Sequence, residues 1–66
     1  MFKVGDLIWL PKCEDHEVGF WKADWGIIIK AKPGWEAFYH VHWLYDTSTV
    51  EEEEWIHEHC ELAARA

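Results

Sequence analysis

What this 66-residue chain lacks narrows it first. After Pro33 there is a single cation, Arg65, against Glu36, Asp46, Glu51, Glu52, Glu53, Glu54, Glu58 and Glu61. The first half balances five lysines against five acids, so the whole net charge of −7 lies in the second half. Affinity for nucleic acid rests on Lys and Arg neutralising phosphates, and an acidic chain of this kind is a poor direct binder of DNA or RNA. Basic proteins, or proteins that ordinarily hold nucleic acid, fit such a charge; its other use is solubility. The two cysteines, Cys13 and Cys60, could form one disulfide. The opening Met-Phe-Lys-Val-Gly-Asp, however, has no apolar stretch of the kind that leads a secreted chain, so a reducing cytoplasm is the expected compartment. No run approaches the roughly 18 apolar residues of a membrane span. There is no glycine-rich phosphate loop, no nucleophile elbow and no acid pair with an obvious base, so neither catalysis nor a cofactor is expected.

Aromatic residues are what the chain has in surplus. Six Trp, three Phe and two Tyr stand among 66 residues, enough for one domain, residues 1–66. Each can bury roughly 150–250 Å², so a few stabilise a small core and the rest are free for a partner, unless so small a core consumes them all. The most legible stretch runs from Trp25 to Tyr45, two apolar runs parted by Lys32-Pro33-Gly34-Trp35. It predicts a β-hairpin with strands over 25–31 and 37–44 and a type II turn, Pro33 fixing φ and Gly34 accepting a positive one. Alternation places Tyr39, Val41 and Trp43 on one face and Phe38, His40, His42 and Leu44 on the other.

Around the hairpin, Val4-Gly5-Asp6 reads as a turn into a strand over 7–10 that Pro11 ends. Residues 12–24 read as a long, charged loop carrying Val18, Phe20 and Trp21. The tail from Val50 supports two readings. One is a helix with Thr49 and Glu52 as a capping box, aligning Ile56 with Cys60 and Trp55 with His59. The other is a strand over 49–56, a 3₁₀ turn over 56–60 and a short closing strand over 60–62, which would pair an otherwise open sheet edge.

Histidines suggest a metal reading. His40 and His42 share one strand face, and His57, His59 and Cys60 add donors, with Cys13 and His16 on the first loop. Zinc requires about four such ligands in a tetrahedron, and none of these spacings is that of a known finger. No metal is therefore expected.

Val4-Gly5-Asp6-Leu7-Ile8-Trp9, Trp25-Gly26-Ile27-Ile28-Ile29, Tyr39-His40-Val41-His42-Trp43 and Trp55-Ile56-His57-Glu58 before Cys60-Glu61-Leu62 together resemble the layout of small SH3-like barrels. The nearest likeness is to short SH3-fold proteins of tailed, particularly marine, bacteriophages. That resemblance implies an all-β, five-stranded SH3-like barrel with a long first loop and a 3₁₀ turn before the last strand. It also implies a groove between loops, for which Trp9, Phe20, Trp21, Trp25, Tyr39 and Trp43 are the candidate contact residues, with Glu14, Asp15, Glu17 and Asp46 at its rim. The implied role is a non-enzymatic module in the host cytoplasm or a virion that docks a virion component or host protein. Such a groove suits surfaces bearing Lys or Arg. Two other roles are open. Glu51, Glu52, Glu53 and Glu54 form an acidic strip that would serve a nucleic-acid mimic. Val4-Gly5-Asp6-Leu7-Ile8-Trp9 is also similar to the start of PWWP domains, relatives of Tudor barrels, which implies a reader of modified lysine. The chain has Gly19-Phe20-Trp21-Lys22 where the Pro-Trp-Trp-Pro run would stand.

Overall fold

In the computed structural model, which describes residues 1–66, the chain runs through β1 (Leu7–Leu10), β2 (Cys13–Asp15), β3 (Gly19–Trp21), β4 (Asp24–Lys32), β5 (Phe38–Trp43), β6 (Ser48–Glu52), α1 (Glu53–His59) and β7 (Glu61–Ala64). Five strands form one antiparallel sheet in the order β6-β5-β4-β1-β7, while β2 and β3 pair only with each other. The protein is therefore mostly β, with one short helix. No helix is long and apolar enough to cross a membrane.

Period-two alternation decides which side chains go inside. Ile8 and Leu10 of β1, Ile28 of β4 and Tyr39, Val41 and Trp43 of β5 point to the same side and are buried. Ile56 of α1 and Cys60 complete this core of eight residues, with Phe2, Trp21, Ala31 and Trp55 packed against it. On the opposite face of β5 Phe38 and His40 are half-buried and His42 is exposed, as is Leu44 just past the strand.

The long hairpin forms with β4 and β5 paired from Gly26 opposite Trp43 to Lys32 opposite Phe38, interrupted by a bulge between Ile28 and Lys30. Gly34 takes the positive φ expected of it, 93°, but the chain needs a second positive φ, 55° at Glu36, before β5 starts. The connection over 33–37 is thus wider than a two-residue turn, and Trp35 at its tip is 88% exposed.

Two expectations need correcting. The stretch 12–24 is not simply a long loop, because β2 and β3 make a hairpin inside it. Its turn is held by the Asp15 carboxylate, whose Oδ1 accepts from the amides of Glu17 (2.7 Å) and Val18 (3.0 Å). The segment before the last strand is an α-helix of seven residues rather than a 3₁₀ turn. The β-formers Ser48, Thr49 and Val50 extend as β6 only to Glu52; Glu53 and Glu54 then occupy the helix's first turn and His57 and His59 its last, the arrangement the helix dipole favours. The capping box does not form. Glu52 is the N-cap and makes no side-chain bond to the helix, while the Thr49 hydroxyl lies in β6 and accepts from Trp43 Nε1.

The chain ends are tied to the sheet by one buried carboxylate. Asp6 accepts from the amide of Lys3 (2.8 Å) through Oδ2 and from that of Ala66 (3.0 Å) through Oδ1. The Ala66 amide first, and the Lys3 amide second, hold its carboxyl below the usual carboxylate range.

Candidate functional site

At the β6 end of the core the inward-facing aromatics do not close over. Trp21, Trp43, Tyr45 and Trp55, joined by Leu10, Lys22, Ala23, Asp24, Asp46, Thr49 and Glu51, line an open groove of about 640 Å³. Strands of both sheets and the helix supply its walls, with Leu10 from β1 and Asp24 from β4. β5 delivers Trp43 by alternation, the β2–β3 hairpin folds Trp21 back toward the core, α1 presents Trp55, and β6 contributes Thr49 and Glu51.

The aromatic walls are fixed. Trp21 Nε1 donates to the Pro11 carbonyl (2.9 Å) and Trp43 Nε1 donates to Thr49 Oγ1 (2.8 Å), so both polar indole edges are already satisfied. Trp21, Trp55 and His59 stack in a tilted and edge-on cluster, with ring centroids 5.4 Å apart for the two indoles and 4.7 Å for Trp55 and His59. Such pairs add to the burial their area provides and hold the rings in place. Asp24 holds the segment that follows β5. Its Oδ1 accepts from the amides of Trp25 (2.7 Å) and Tyr45 (3.2 Å), its Oδ2 lies 3.3 Å from the Tyr45 amide, and Tyr45 itself is 78% exposed. Three acidic residues, Asp24, Asp46 and Glu51, line the groove with one lysine, Lys22.

Of the six aromatics expected at a shared groove, the structure brings together Trp21 and Trp43. Tyr39 is 1% exposed; it lies in the core, its hydroxyl bonded to His57 Nε2 (2.8 Å) and accepting from the Phe2 amide (3.2 Å). Trp9 and Trp25 are cross-strand neighbours on the other face of the sheet, their rings 4.5 Å apart. Phe20 is exposed on the small hairpin and packs edge-on against His16. Alternation explains Trp9 and Trp25, which occupy outward positions of β1 and β4; Tyr39 shares the inward face of β5 with Trp43 but is covered by Phe2 and His57, and Phe20 stands out from the small hairpin. Tyr45 and Trp55 were missed. Only the helical reading of the tail, which stacks Trp55 on His59, carried a signal for either of them.

The rim differs too. Of the acids expected there, Asp46 lines the groove, while Glu14, Asp15 and Glu17 do not. Glu51, Glu52, Glu53 and Glu54 span a strand end and a helix start and do not form one strip. Glu51 lines the aromatic groove, whereas Glu52, Glu53 and Glu54 border a second concavity with Glu36, Phe38 and His57.

The possible metal donors are dispersed. His40 and His42 lie on the outer sheet face, where His42 Nδ1 is 3.1 Å from Ser48 Oγ; His57 bonds Tyr39, and His59 stacks on tryptophans. Burial pushes the Cys60 thiol up to about 12, aided by the nearby Glu51 charge, which disfavours the thiolate a metal would need. Nowhere do three His, Cys, Asp or Glu side chains gather around a point that could hold a metal ion. Both cysteines are free.

Compared with known proteins, the chain matches no family model, no curated protein and no solved structure.

Proposed function

We propose that the protein is a non-enzymatic interaction module, an SH3-like barrel of phage origin that grips a virion component or a host protein through the aromatic groove. The observation that carries this reading is the convergence of Trp21, Trp43, Tyr45 and Trp55 on one open concavity. Tryptophan and tyrosine dominate binding hot spots because they bury large areas at little cost in rotamer entropy, and here the indoles of Trp21 and Trp43 are already immobilised. The order of five sheet strands, with a long excursion after the first and a helical turn before the last, supports the barrel reading.

The test is capture from bacterial lysate and from purified virions with wild type, Trp21→Ala, Tyr45→Ala and the pair Glu52→Lys, Glu53→Lys. A partner lost with the aromatic variants and kept with the charge reversals supports the groove. The opposite pattern supports the acidic mimic, with Glu36, Glu52, Glu53 and Glu54 as its surface.

A second reading, a Tudor-like reader of modified lysine, is favoured by the same box of aromatics around a single opening with carboxylates at its edge. Peptides carrying unmodified and trimethylated lysine distinguish it. Tighter binding of the trimethylated form supports a reader.

A further inference from the structure

We propose that the groove receives the guanidinium group of an arginine from a protein partner, held against the Asp24 carboxylate and stacked on the flanking indoles. This rests on the groove being the contact surface.

Asp24 points there: of the two buried carboxylates, Asp6 takes one amide bond on each oxygen, at 2.8 and 3.0 Å, whereas Asp24 leaves one oxygen with only a long, shared contact. Asp24 is 8% exposed, yet no cation of the chain lies within ion-pair distance of it; the one lysine–carboxylate pair in the chain is Lys12 with Glu14. Lys22 lines the same groove and does not pair with it. Burying a carboxylate is costly unless a cation or strong donors compensate. The donors present are backbone amides, and they load the two oxygens unequally. Oδ1 accepts at 2.7 and 3.2 Å, whereas Oδ2 has one long contact of 3.3 Å shared with the same Tyr45 amide. A carboxylate offers about four acceptor positions, so Oδ2 has capacity left for a charged donor.

The walls select the kind of cation. With the N–H groups of Trp21 and Trp43 committed to Pro11 and Thr49, neither ring has a further donor; half-buried Trp21 and Trp55 offer π surface, and buried Trp43 forms the floor. A guanidinium is flat, weakly hydrated and able to stack on such rings while its N–H fork reaches a carboxylate. The ammonium of lysine is compact and strongly hydrated, and gains less from the same surroundings. Asp46 and Glu51 add negative charge at the mouth, which favours a basic partner over an acidic one.

The test is a ¹⁵N resonance titration of the full chain with a capped Gly-Ser-Arg-Ser-Gly peptide and with its citrulline and lysine counterparts. Citrulline keeps the shape of arginine and removes the charge. The expected result is movement of the Trp21 and Trp43 indole signals and the Tyr45 amide, with the arginine peptide bound at least about tenfold more tightly than either counterpart. Asp24→Asn, which retains one acceptor oxygen for the amides, should erase that preference; the comparison of the three peptides on wild type stands even where the variant folds poorly. Equal binding of arginine and citrulline, or of arginine and lysine, overturns the proposal and leaves the groove as a contact surface. Absence of arginine binding alongside loss of partner capture in Tyr45→Ala has the same meaning. Partner capture indifferent to both Trp21→Ala and Tyr45→Ala overturns the groove itself.

Discussion

Gly26 faces Trp43 across the β4–β5 ladder so closely that a methyl group on its α-carbon would stand 2.8 Å from Cε3 and Cζ3 of the indole and 2.6 Å from Val41 Cγ1. The absence of a side chain at Gly26 is what lets Trp43 lie down on the sheet, where it serves as core and groove wall at once. Gly26→Ala is therefore expected to cost about 1–3 kcal/mol by overpacking, a large fraction of the stability of so small a domain. Thermal unfolding reads the loss, and displacement of the Trp43 indole signal from its Thr49-bonded position shows its cause.

Asp6 makes stability depend on acid. Its folded-state carboxyl lies below the ordinary value of 3.8, so its contribution is complete above that value and disappears as pH falls through the depressed folded-state one. Asp6→Asn should lower the melting temperature at pH 7 and flatten the melting-temperature profile below about pH 4. A parallel shift of the whole profile, with unchanged slope in acid, would mean that the charge on Asp6 is immaterial.

Tyr39→Phe removes the hydroxyl that joins the Phe2 amide to His57 and should cost about 0.5–1.5 kcal/mol for each bond lost. The Phe2 ring, which packs 5.1 Å from His57, should loosen at the same time. Hydrogen exchange at the Phe2 and Lys3 amides distinguishes this local release from a uniform loss of stability.

Cys60 and Cys13 should differ in reactivity. The Cys60 thiol is buried and pushed up to about 12, whereas Cys13 is half-buried on the small hairpin. Mass spectrometry after brief alkylation at pH 8 is expected to show one label, on Cys13, with Cys60 modified only after denaturation.

How much of this was legible depended on the length of each pattern. Tyr39, Val41 and Trp43 carry a period of two over a whole strand, and the long hairpin followed from them. The strands of the small hairpin are three residues each, too short to hold a period, and Asp15 and Gly19 at its turn were the signal available. In the tail, β-forming Ser48-Thr49-Val50 runs into helix-forming glutamates with no side-chain cap to mark the junction, so strand and helix each accounted for half of it. For the groove, alternation was enough to orient Trp43. The meeting of Trp21 with Trp55 depends on a hairpin and a helix that pack only in the fold, and the placing of Tyr45 depends on a carboxylate at the start of β4. None of these contacts has a sequence spacing.

The central claim is that the aromatic groove, and not the acidic surface, is where a partner is held. It is tested most directly by mapping ¹⁵N resonances of the full chain in complex with the captured partner. The account predicts that the indole signals of Trp21, Trp43 and Trp55 and the amide of Tyr45 move or broaden first. Changes confined to the amides of Glu36, Glu52, Glu53 and Glu54, with those indoles unmoved, would contradict it.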